Sequence, residues 1–245
     1  MVKAEFNRSE MLLGQEAMLR LEQIRVIVFG MGGVGSWAAE TLIRTGLKHL
    51  TIVDFDQVAT TNINRQLPAN TQTVGRFKTD VMKEHLLSIN PDAEIISING
   101  LYNEESAADF DLNSYDYVID AIDSLRDKAL LIVNATNTSC RLLSSMGAAL
   151  KTDPTRIRVD EFWKVKGDRL AAALRNKFKR SGVYPARKFK VVWSDEIIEN
   201  KIQVSEENTD SPINKPIING SLMQVTAPFG ITLASLVIND IVKAD

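Results

Sequence analysis

Cysteine and histidine are almost absent from this chain. Its 245 residues include one cysteine, Cys140, and two histidines. A single thiol cannot form an intrachain disulfide or supply the paired cysteines of a structural zinc site. We therefore expect no zinc, and the composition fits a reducing, cytoplasmic environment. Cys140 stands at the start of an apolar run, where a packed structural cysteine is the expected role.

Long uninterrupted apolar runs are also missing. Residues 1–18 alternate charged and apolar side chains, which argues against a secretory signal. The most apolar late stretch, 222–242, is interrupted by polar residues and by Pro228. It is predicted to be a buried helix rather than a membrane span. We therefore expect no membrane partner.

Positive charge is concentrated in one segment of an acidic chain. Residues 164–190 hold ten basic residues and one acid, Asp168, whereas the whole chain carries a net charge of −2. Clustered cations bind polyanions by displacing counterions from phosphates. A solvated helix face followed by a loop would give the same composition, so charge alone leaves both interpretations open. The ten residues are Lys164, Lys166, Arg169, Arg175, Lys177, Lys179, Arg180, Arg187, Lys188 and Lys190.

Short apolar strands alternate with helical segments in the first 150 residues. Strands are predicted at 25–29, 50–53, 94–98, 117–119 and 141–144, and helices at 36–45, 76–88 and 125–137. This alternation is typical of an α/β fold with a Rossmann-like, doubly wound, mostly parallel sheet. We expect residues 1–150 to form a nucleotide-binding domain.

The pattern changes after residue 150. Strands are predicted at 156–159 and 189–193, a basic amphipathic helix at 168–179, a loop at 200–219 and a final helix at 229–242. We expect residues 151–245 to be a C-terminal extension that adds strands and the basic helix to the same compact unit.

A glycine-rich loop follows the first strand. Gly30, Gly32 and Gly35 fit the G-x-G-x-x-G pattern, with Gly33 between them. Glycines in this position let main-chain N–H groups approach phosphate oxygens at a helix N-terminus. Asp54 ends the second strand, where a carboxylate can accept hydrogen bonds from ribose hydroxyls. The loop predicts a nucleotide site without choosing between NAD and ATP.

Charged residues downstream favour adenylyl transfer. Arg65 and Lys78 can neutralise the charge that builds on ATP phosphates, and Asp123 can hold Mg²⁺ at a strand end. Asn62 is expected to position the phosphates, and Asp56 to join the nucleotide site. The plainer alternatives are surface ion pairs for the two cations and solubility roles for Asp54 and Asp56. Asp120 is expected to have a structural role, as a hydrogen-bond acceptor at the end of the strand.

Six motifs in this order resemble the adenylation domain of the ThiF, MoeB and HesA type, which is shared with ubiquitin-activating enzymes. The resemblance covers roughly residues 5–150 and implies an ATP-binding adenylation domain. In that family a segment similar to Phe6-Asn7-Arg8 supplies an arginine to the other subunit's ATP. The resemblance therefore implies a homodimer with Arg8 acting in trans. The motifs are Gly30-x-Gly-Gly-x-Gly35, Asp54-x-Asp56, Asn62-x-x-Arg65-Gln66, Val74-Gly75-x-x-Lys78, Asn90-Pro91 and Asp120-x-x-Asp123.

Further motifs along nearly the whole chain resemble one subgroup, the tRNA threonylcarbamoyladenosine dehydratases. The resemblance implies ATP-dependent cyclisation of N6-threonylcarbamoyladenosine at position 37 of tRNA, through a carboxyl adenylate. It also implies that segment 164–190 faces tRNA. Relatives of this kind are associated with cysteine desulfurases, and main-chain carbonyls could form a Na⁺ or K⁺ site without a sequence signature. The motifs include Gly33-Val-Gly-Ser-Trp-Ala-Ala-Glu40, Asp120-Ala-Ile-Asp-Ser124, Asp153-Pro-Thr155 and Val225-Thr-Ala227.

Three other functions compete with this one. The chain could activate the Gly-Gly tail of a sulfur-carrier protein, bind NAD as a redox or sensor module, or bind RNA without catalysis. The basic segment argues against the carrier, and Lys78 with Asp123 argues against NAD. Trp163, Tyr184 and Trp193 flank the basic segment, where stacking on tRNA bases and packing in a core or dimer interface are equally plausible.

Overall fold

One seven-stranded sheet organises the fold. The computed structural model describes residues 4–202 and 219–243. All neighbouring strands run parallel except β6 and β7, so the predicted Rossmann-like, mostly parallel sheet is confirmed. The sheet order is β3-β2-β1-β4-β5-β7-β6. The strands are β1 (Arg25–Phe29), β2 (His49–Asp54), β3 (Glu94–Asn99), β4 (Tyr117–Asp120), β5 (Arg141–Ser145), β6 (Ile157–Glu161) and β7 (Lys190–Ser194).

Helices cover both faces of this sheet. Side chains alternate across β1, so Val28 packs with α3, α4 and α7, whereas Phe29 faces the side that holds α5 and α6. Over the described ranges the helices are α1 (Asn7–Leu13), α2 (Gln15–Gln23), α3 (Gly35–Thr45), α4 (Lys78–Ile89), α5 (Leu125–Thr136), α6 (Arg169–Ser181) and α7 (Met223–Val242).

The strand order changes direction at β1. This strand lies between β2 and β4, so the loops that follow β1 and β4 diverge and leave a crevice at the carboxyl edge of the sheet. Strands β6 and β7 come from the C-terminal extension, and β7 pairs with β5. The extension thus continues the sheet of the first 150 residues and reaches the same edge.

Some predicted boundaries were wrong. Helix α4 begins two residues late, at Lys78, and α7 begins at Met223, six residues early, with Pro228 inside it. Burial of Val225 and Phe229 offsets the hydrogen bond that the proline removes. Helices α1 and α2 were not predicted. Most of the predicted 200–219 loop lies outside the described residues.

Helix α7 is a core helix in this structure. By length and composition it could cross a membrane, but half of its apolar stretch is buried. Gly230 lies against the start of α3, where an added Cβ would come within 2.1 Å of the Val34 carbonyl oxygen. This close approach places α7 directly behind the glycine loop.

Candidate active site

A cleft of about 970 Å³ opens at the carboxyl edge of the sheet. It brings together nearly all of the residues predicted for the nucleotide site. Gly35 is the exception, since it lies buried beneath the loop, where a Cβ would meet the Gly30 carbonyl oxygen at 1.8 Å. The predicted residues that line the cleft are Gly30, Gly32, Gly33, Asp54, Asp56, Asn62, Arg65, Lys78 and Asp123.

Asp54 holds the glycine loop in place. Its Oδ2 accepts a 2.6 Å hydrogen bond from the Met31 N–H, and its Oδ1 accepts one of 2.8 Å from the Asp56 N–H. Burial raises the pKa of Asp54, although the positive charge of Lys78 opposes this shift. Asp54 is buried, so the solubility alternative does not describe it.

Lys78 is aimed into the cleft from the first position of α4. Its side chain is 5% exposed, and its Nζ lies 2.7 Å from Asp56 Oδ2. Its main-chain N–H also donates to the Asp56 carbonyl oxygen. The acid that pairs with Lys78 is therefore itself a cleft residue, and phosphate oxygens entering the cleft would meet a desolvated ammonium group.

Arg65 also lines the cleft. Its guanidinium donates to the carbonyl oxygen of Thr61 and to Asn64 Oδ1. The indole N–H of Trp37, on α3, donates to the Arg65 carbonyl oxygen. Burial lowers the pKa of Arg65, while the negative charge of Asp123 raises it. Asn62 Oδ1 accepts from the Ala59 N–H, so Asn62 helps to shape the loop that carries Arg65.

Asp123 is exposed at the mouth of the cleft on the loop after β4. A fully buried ion pair fixes that loop, because Lys128 Nζ lies 2.8 Å from Asp120 Oδ2 and donates to the Ile122 carbonyl oxygen. Asp120 also accepts from the Ser144 hydroxyl. The predicted structural role of Asp120 is confirmed.

The cleft offers Mg²⁺ a partial site. Within residues 4–202 and 219–243, no three His, Cys, Asp or Glu side chains cluster closely enough to hold a metal ion. Mg²⁺ is commonly bound by one or two carboxylates together with substrate phosphates. Asp123 fits that use, since its carboxylate is exposed in the cleft beside the predicted phosphate contacts.

The C-terminal extension adds a wall that local sequence patterns did not indicate. Lys151 is buried there and donates to the carbonyl oxygens of Ser194 and Glu196, at 3.0 and 2.6 Å. Leu150, just before it, adopts a left-handed conformation with φ of 57°. Asp168 caps α6 by accepting from the Ala171 N–H. Nothing in the local spacing of these residues links them to the glycine loop.

Thr226 is a further residue that the sequence did not single out. It projects from α7 into the cleft wall, and an added Cβ on Gly33 would lie 3.1 Å from its Oγ1. This buried Oγ1 makes no hydrogen bond in the part of the chain that the structure describes. A buried hydroxyl without a partner beside the glycine loop is suited to donate to an oxyanion that enters the cleft.

Arg8 and most of the basic segment lie outside the cleft. Arg8 is exposed on α1 and does not line the cleft of its own chain. Arg169 is the one predicted tRNA-binding residue on the cleft lining. Arg187 donates to main-chain carbonyl oxygens at the end of α5, including those of Thr136 and Cys140. That contact gives Arg187 a structural role that the sequence analysis did not anticipate.

Cys140 and Trp193 are buried in the structure, whereas Trp163 and Tyr184 are exposed. Cys140 is buried, which raises the pKa of its thiol, so its predicted structural role is confirmed. Trp193 is also buried, and its indole N–H donates to Asp160. Trp163 and Tyr184 remain on the surface.

The fold and this cleft place the chain in a known family. The ThiF family model matches residues 6–244, and the chain belongs to the ThiF family. Within that family it groups with the tRNA threonylcarbamoyladenosine dehydratases, as the sequence predicted. It is 37% identical to that protein of Bacillus subtilis, covering 98% of this chain and 95% of the relative. It is 34% identical to that of Escherichia coli, covering 95% and 91%.

A solved structure supports the same grouping. The E. coli tRNA N6-threonylcarbamoyladenosine dehydratase TcdA, crystallised in complex with ATP, superposes with a TM-score of 0.83. The two chains are 33% identical, over 97% of this chain and 93% of the other. The same E. coli protein has also been crystallised in complex with AMP.

Proposed function

We propose that this protein is an ATP-dependent dehydratase of N6-threonylcarbamoyladenosine in tRNA. The observation that carries the proposal is the cleft, in which a glycine loop, two cations and an exposed carboxylate converge at one sheet edge. That set suits ATP better than NAD. A hydride-transfer enzyme has to bind only the pyrophosphate of its cofactor, whereas adenylyl transfer uses two cations and a free carboxylate. The nearly full-length match to dehydratases supports tRNA rather than a sulfur-carrier protein as the substrate.

The reaction begins with activation of a carboxylate. The substrate carboxylate attacks the α-phosphorus of ATP, which forms a carboxyl adenylate and releases pyrophosphate. Lys78 and Arg65 stabilise the charge that develops on the phosphates. A nitrogen or oxygen of the neighbouring carbamoyl group then attacks the activated carbonyl and expels AMP. Because the nucleophile belongs to the substrate, closure is intramolecular and needs no enzyme thiol.

Each remaining part of the cleft has a proposed task. Asp54 accepts hydrogen bonds from the ribose, and Asp56 and Asn62 order the phosphate end. When Mg²⁺ is bound, it neutralises phosphate charge, and Asp123 would hold it. The basic segment binds the tRNA backbone through its exposed cations, with Arg187 left out because its guanidinium is engaged by α5.

Several expectations complete the proposal. We propose a cytoplasmic homodimer in which Arg8 of each subunit reaches the other subunit's ATP. A Na⁺ or K⁺ site and a cysteine desulfurase partner follow from the resemblance alone. Residues 1–150 would bind ATP, with Thr226 of the extension beside the phosphates, and the basic segment of the extension would carry tRNA.

Nucleoside mass analysis tests the function. The protein is incubated with ATP, Mg²⁺ and tRNA that carries threonylcarbamoyladenosine. We expect the modified nucleoside to lose about 18 Da, one water removed by intramolecular closure, together with release of AMP. An unchanged nucleoside would refute the proposal, and adenylation of a carrier protein in its place would establish the carrier alternative.

The Asp123→Asn variant tests the proposed role of Asp123 in holding Mg²⁺. We expect it to reduce turnover by roughly 10²–10³, the scale seen when one group that stabilises transition-state charge is removed. Asp127→Asn is the control, since Asp127 lies four residues further on, in the first turn of α5, and does not line the cleft. Equal turnover in the two variants would remove Asp123 from the metal site.

A further inference from the structure

Two exposed aromatic side chains belong to the basic region, Trp163 immediately before segment 164–190 and Tyr184 within it. Trp163 is 40% exposed and Tyr184 is 50% exposed. Their ring centroids lie 6.4 Å apart, with the planes inclined at 41°. We call this pair the aromatic platform. Contiguous apolar surface left in contact with water commonly marks an interaction site, so an adjacent pair of exposed rings points to a binding partner.

The platform is built on a rigid base. Trp163 contacts the buried Phe162 edge to face, at 5.0 Å, and packs near Phe178 on α6. The Glu161 side chain accepts a hydrogen bond from the Trp163 N–H, which fixes the short turn after β6. Tyr184 follows Gly182, whose φ of 70° ends α6 and turns the chain back. Trp163 is therefore presented by a turn that packs on the core, and Tyr184 lies beside it just after the end of α6.

The polar atoms of the platform are free to receive a ligand. Over the described ranges, neither the Trp163 indole N–H nor the Tyr184 hydroxyl makes a hydrogen bond. Trp193 is the contrast, because its indole N–H is satisfied by Asp160 and its ring is buried. Of Trp163, Tyr184 and Trp193, one therefore serves the core and two face solvent.

Unpaired cations surround the platform in sequence. Each of them is exposed, and none makes an ion pair within the described residues, unlike surface pairs such as Arg76 with Glu84. Exposed aromatic rings set among free cations are the chemistry that binds single-stranded nucleic acid, with bases stacked on rings and phosphates on cations. The cations are Lys164, Lys166, Lys179, Arg180 and Lys188.

We propose that the aromatic platform stacks an unpaired nucleotide of the tRNA substrate, next to the base that enters the cleft. This inference rests on the proposed function. Helix α6 connects the two places, since Arg169 lines the cleft at its start and Phe178 supports Trp163 near its end. Nine helical positions separate them, about 14 Å at the rise of an α-helix. A short run of single-stranded RNA covers that distance.

Equilibrium binding of tRNA to platform variants is the test. We expect Trp163→Ala and Tyr184→Ala each to raise the Kd for threonylcarbamoyladenosine-bearing tRNA about 5- to 150-fold, the range for loss of one stacked base. Trp163→Phe keeps a ring and should stay near wild type. ATP affinity should not change, because the platform is outside the cleft. Ile96→Ala, a similarly exposed apolar residue on edge strand β3, is the control.

Salt dependence separates stacking from charge. Trp163→Ala should leave the slope of log K against log salt unchanged, because stacking releases no counterions. Lys179→Ala should reduce that slope by roughly one. A platform that served only to shape the basic surface would change the slope instead of the intercept.

The outcomes also distinguish this inference from the proposed function. Wild-type tRNA affinity in both alanine variants would overturn the platform, even if the wild type dehydrates its nucleoside. Unchanged tRNA affinity with an altered mass by light scattering would assign the platform to self-association. If tRNA binding depends on the two rings but no dehydration occurs, the platform inference would stand and the proposed enzymatic function would be refuted.

Discussion

The buried hydroxyl of Thr226 lies beside the glycine loop and has no hydrogen-bond partner among the described residues. Its burial without a partner costs free energy in the unbound protein, so replacing it by a methyl group of the same shape should not destabilise the fold. A bound phosphate would supply the missing acceptor. The same substitution should therefore weaken ATP binding while it leaves or raises stability.

The Thr226→Val variant tests whether this hydroxyl contacts ATP. We expect the Kd for ATP to rise about 2- to 13-fold, equivalent to one hydrogen bond of 0.5–1.5 kcal/mol, with an equal or higher midpoint of thermal unfolding. Thr51→Val is the control, because that buried hydroxyl is already bonded to the Tyr115 hydroxyl. The control should lose stability and keep its ATP affinity. Unchanged ATP affinity in Thr226→Val would place the hydroxyl away from the nucleotide.

The part of the candidate site that is encoded by local motifs was predictable from the sequence. Asp54 ends β2, Asp123 follows β4 and Lys78 opens α4, so the topology of a parallel sheet sufficed to bring these three together. Arg65 lies in the long connection between β2 and α4 and was predicted from its motif. Thr226 comes to the same cleft through packing of a helix far along the chain. Contacts of that kind depend on the tertiary fold and leave no spacing in the sequence.

At the scale of elements, α3 and α7 meet at Gly230. Glycine inside a helix costs roughly 1 kcal/mol relative to alanine, so helix propensity alone predicts that Gly230→Ala would stabilise the protein. The close approach to Val34 predicts the opposite sign, because a methyl group 2.1 Å from a carbonyl oxygen must push the helices apart.

We expect the contact to outweigh propensity. Gly230→Ala should lower the free energy of unfolding by about 1–3 kcal/mol and weaken ATP binding, since Val34 belongs to the glycine loop. Denaturant unfolding and nucleotide titration measure the two effects. Ile231→Ala, at the next and more exposed position, should change neither by a comparable amount. A stabilised Gly230→Ala protein would show that the loop tolerates a shift of α7.

The elements themselves were largely predictable, with informative exceptions. Apolar strands that end at glycine or aspartate were placed within one or two residues, because both signals are local. Helices α1 and α2 were not predicted. Helix α1 buries no side chain, and the buried residues of α2, among them Met18 and Leu21, are interspersed with charged side chains. The start of α7 was predicted too late, because a proline such as Pro228 usually ends or begins a helix. In the structure, burial of the helix outweighs the hydrogen bond that the proline removes.

On the scale of the whole molecule, the position of Arg8 bears on assembly. This residue is exposed on α1 and lies outside its own cleft, which fits a role in a partner's active site. A site completed in trans can be tested by complementation, because two differently defective subunits can form one intact site in a mixed dimer.

Co-expression of Arg8→Ala and Asp123→Asn subunits makes that test. Each variant alone should be inactive. The mixture should recover about one quarter of wild-type turnover, since half of the dimers are mixed and each holds one intact site. Arg20→Ala replaces Arg8→Ala in the control pair, where the arginine variant alone should remain active. No recovery in the first mixture would confine Arg8 to its own chain.

The place of α7 has a consequence for biosynthesis. This helix is translated after every other described element, yet it forms the wall behind the first phosphate-binding loop. A nascent chain that has already folded β1 to β5 still lacks that support and the Thr226 hydroxyl. If the cleft binds ATP as proposed, nucleotide capture would have to wait until translation of α7, when the fold around the cleft is almost finished.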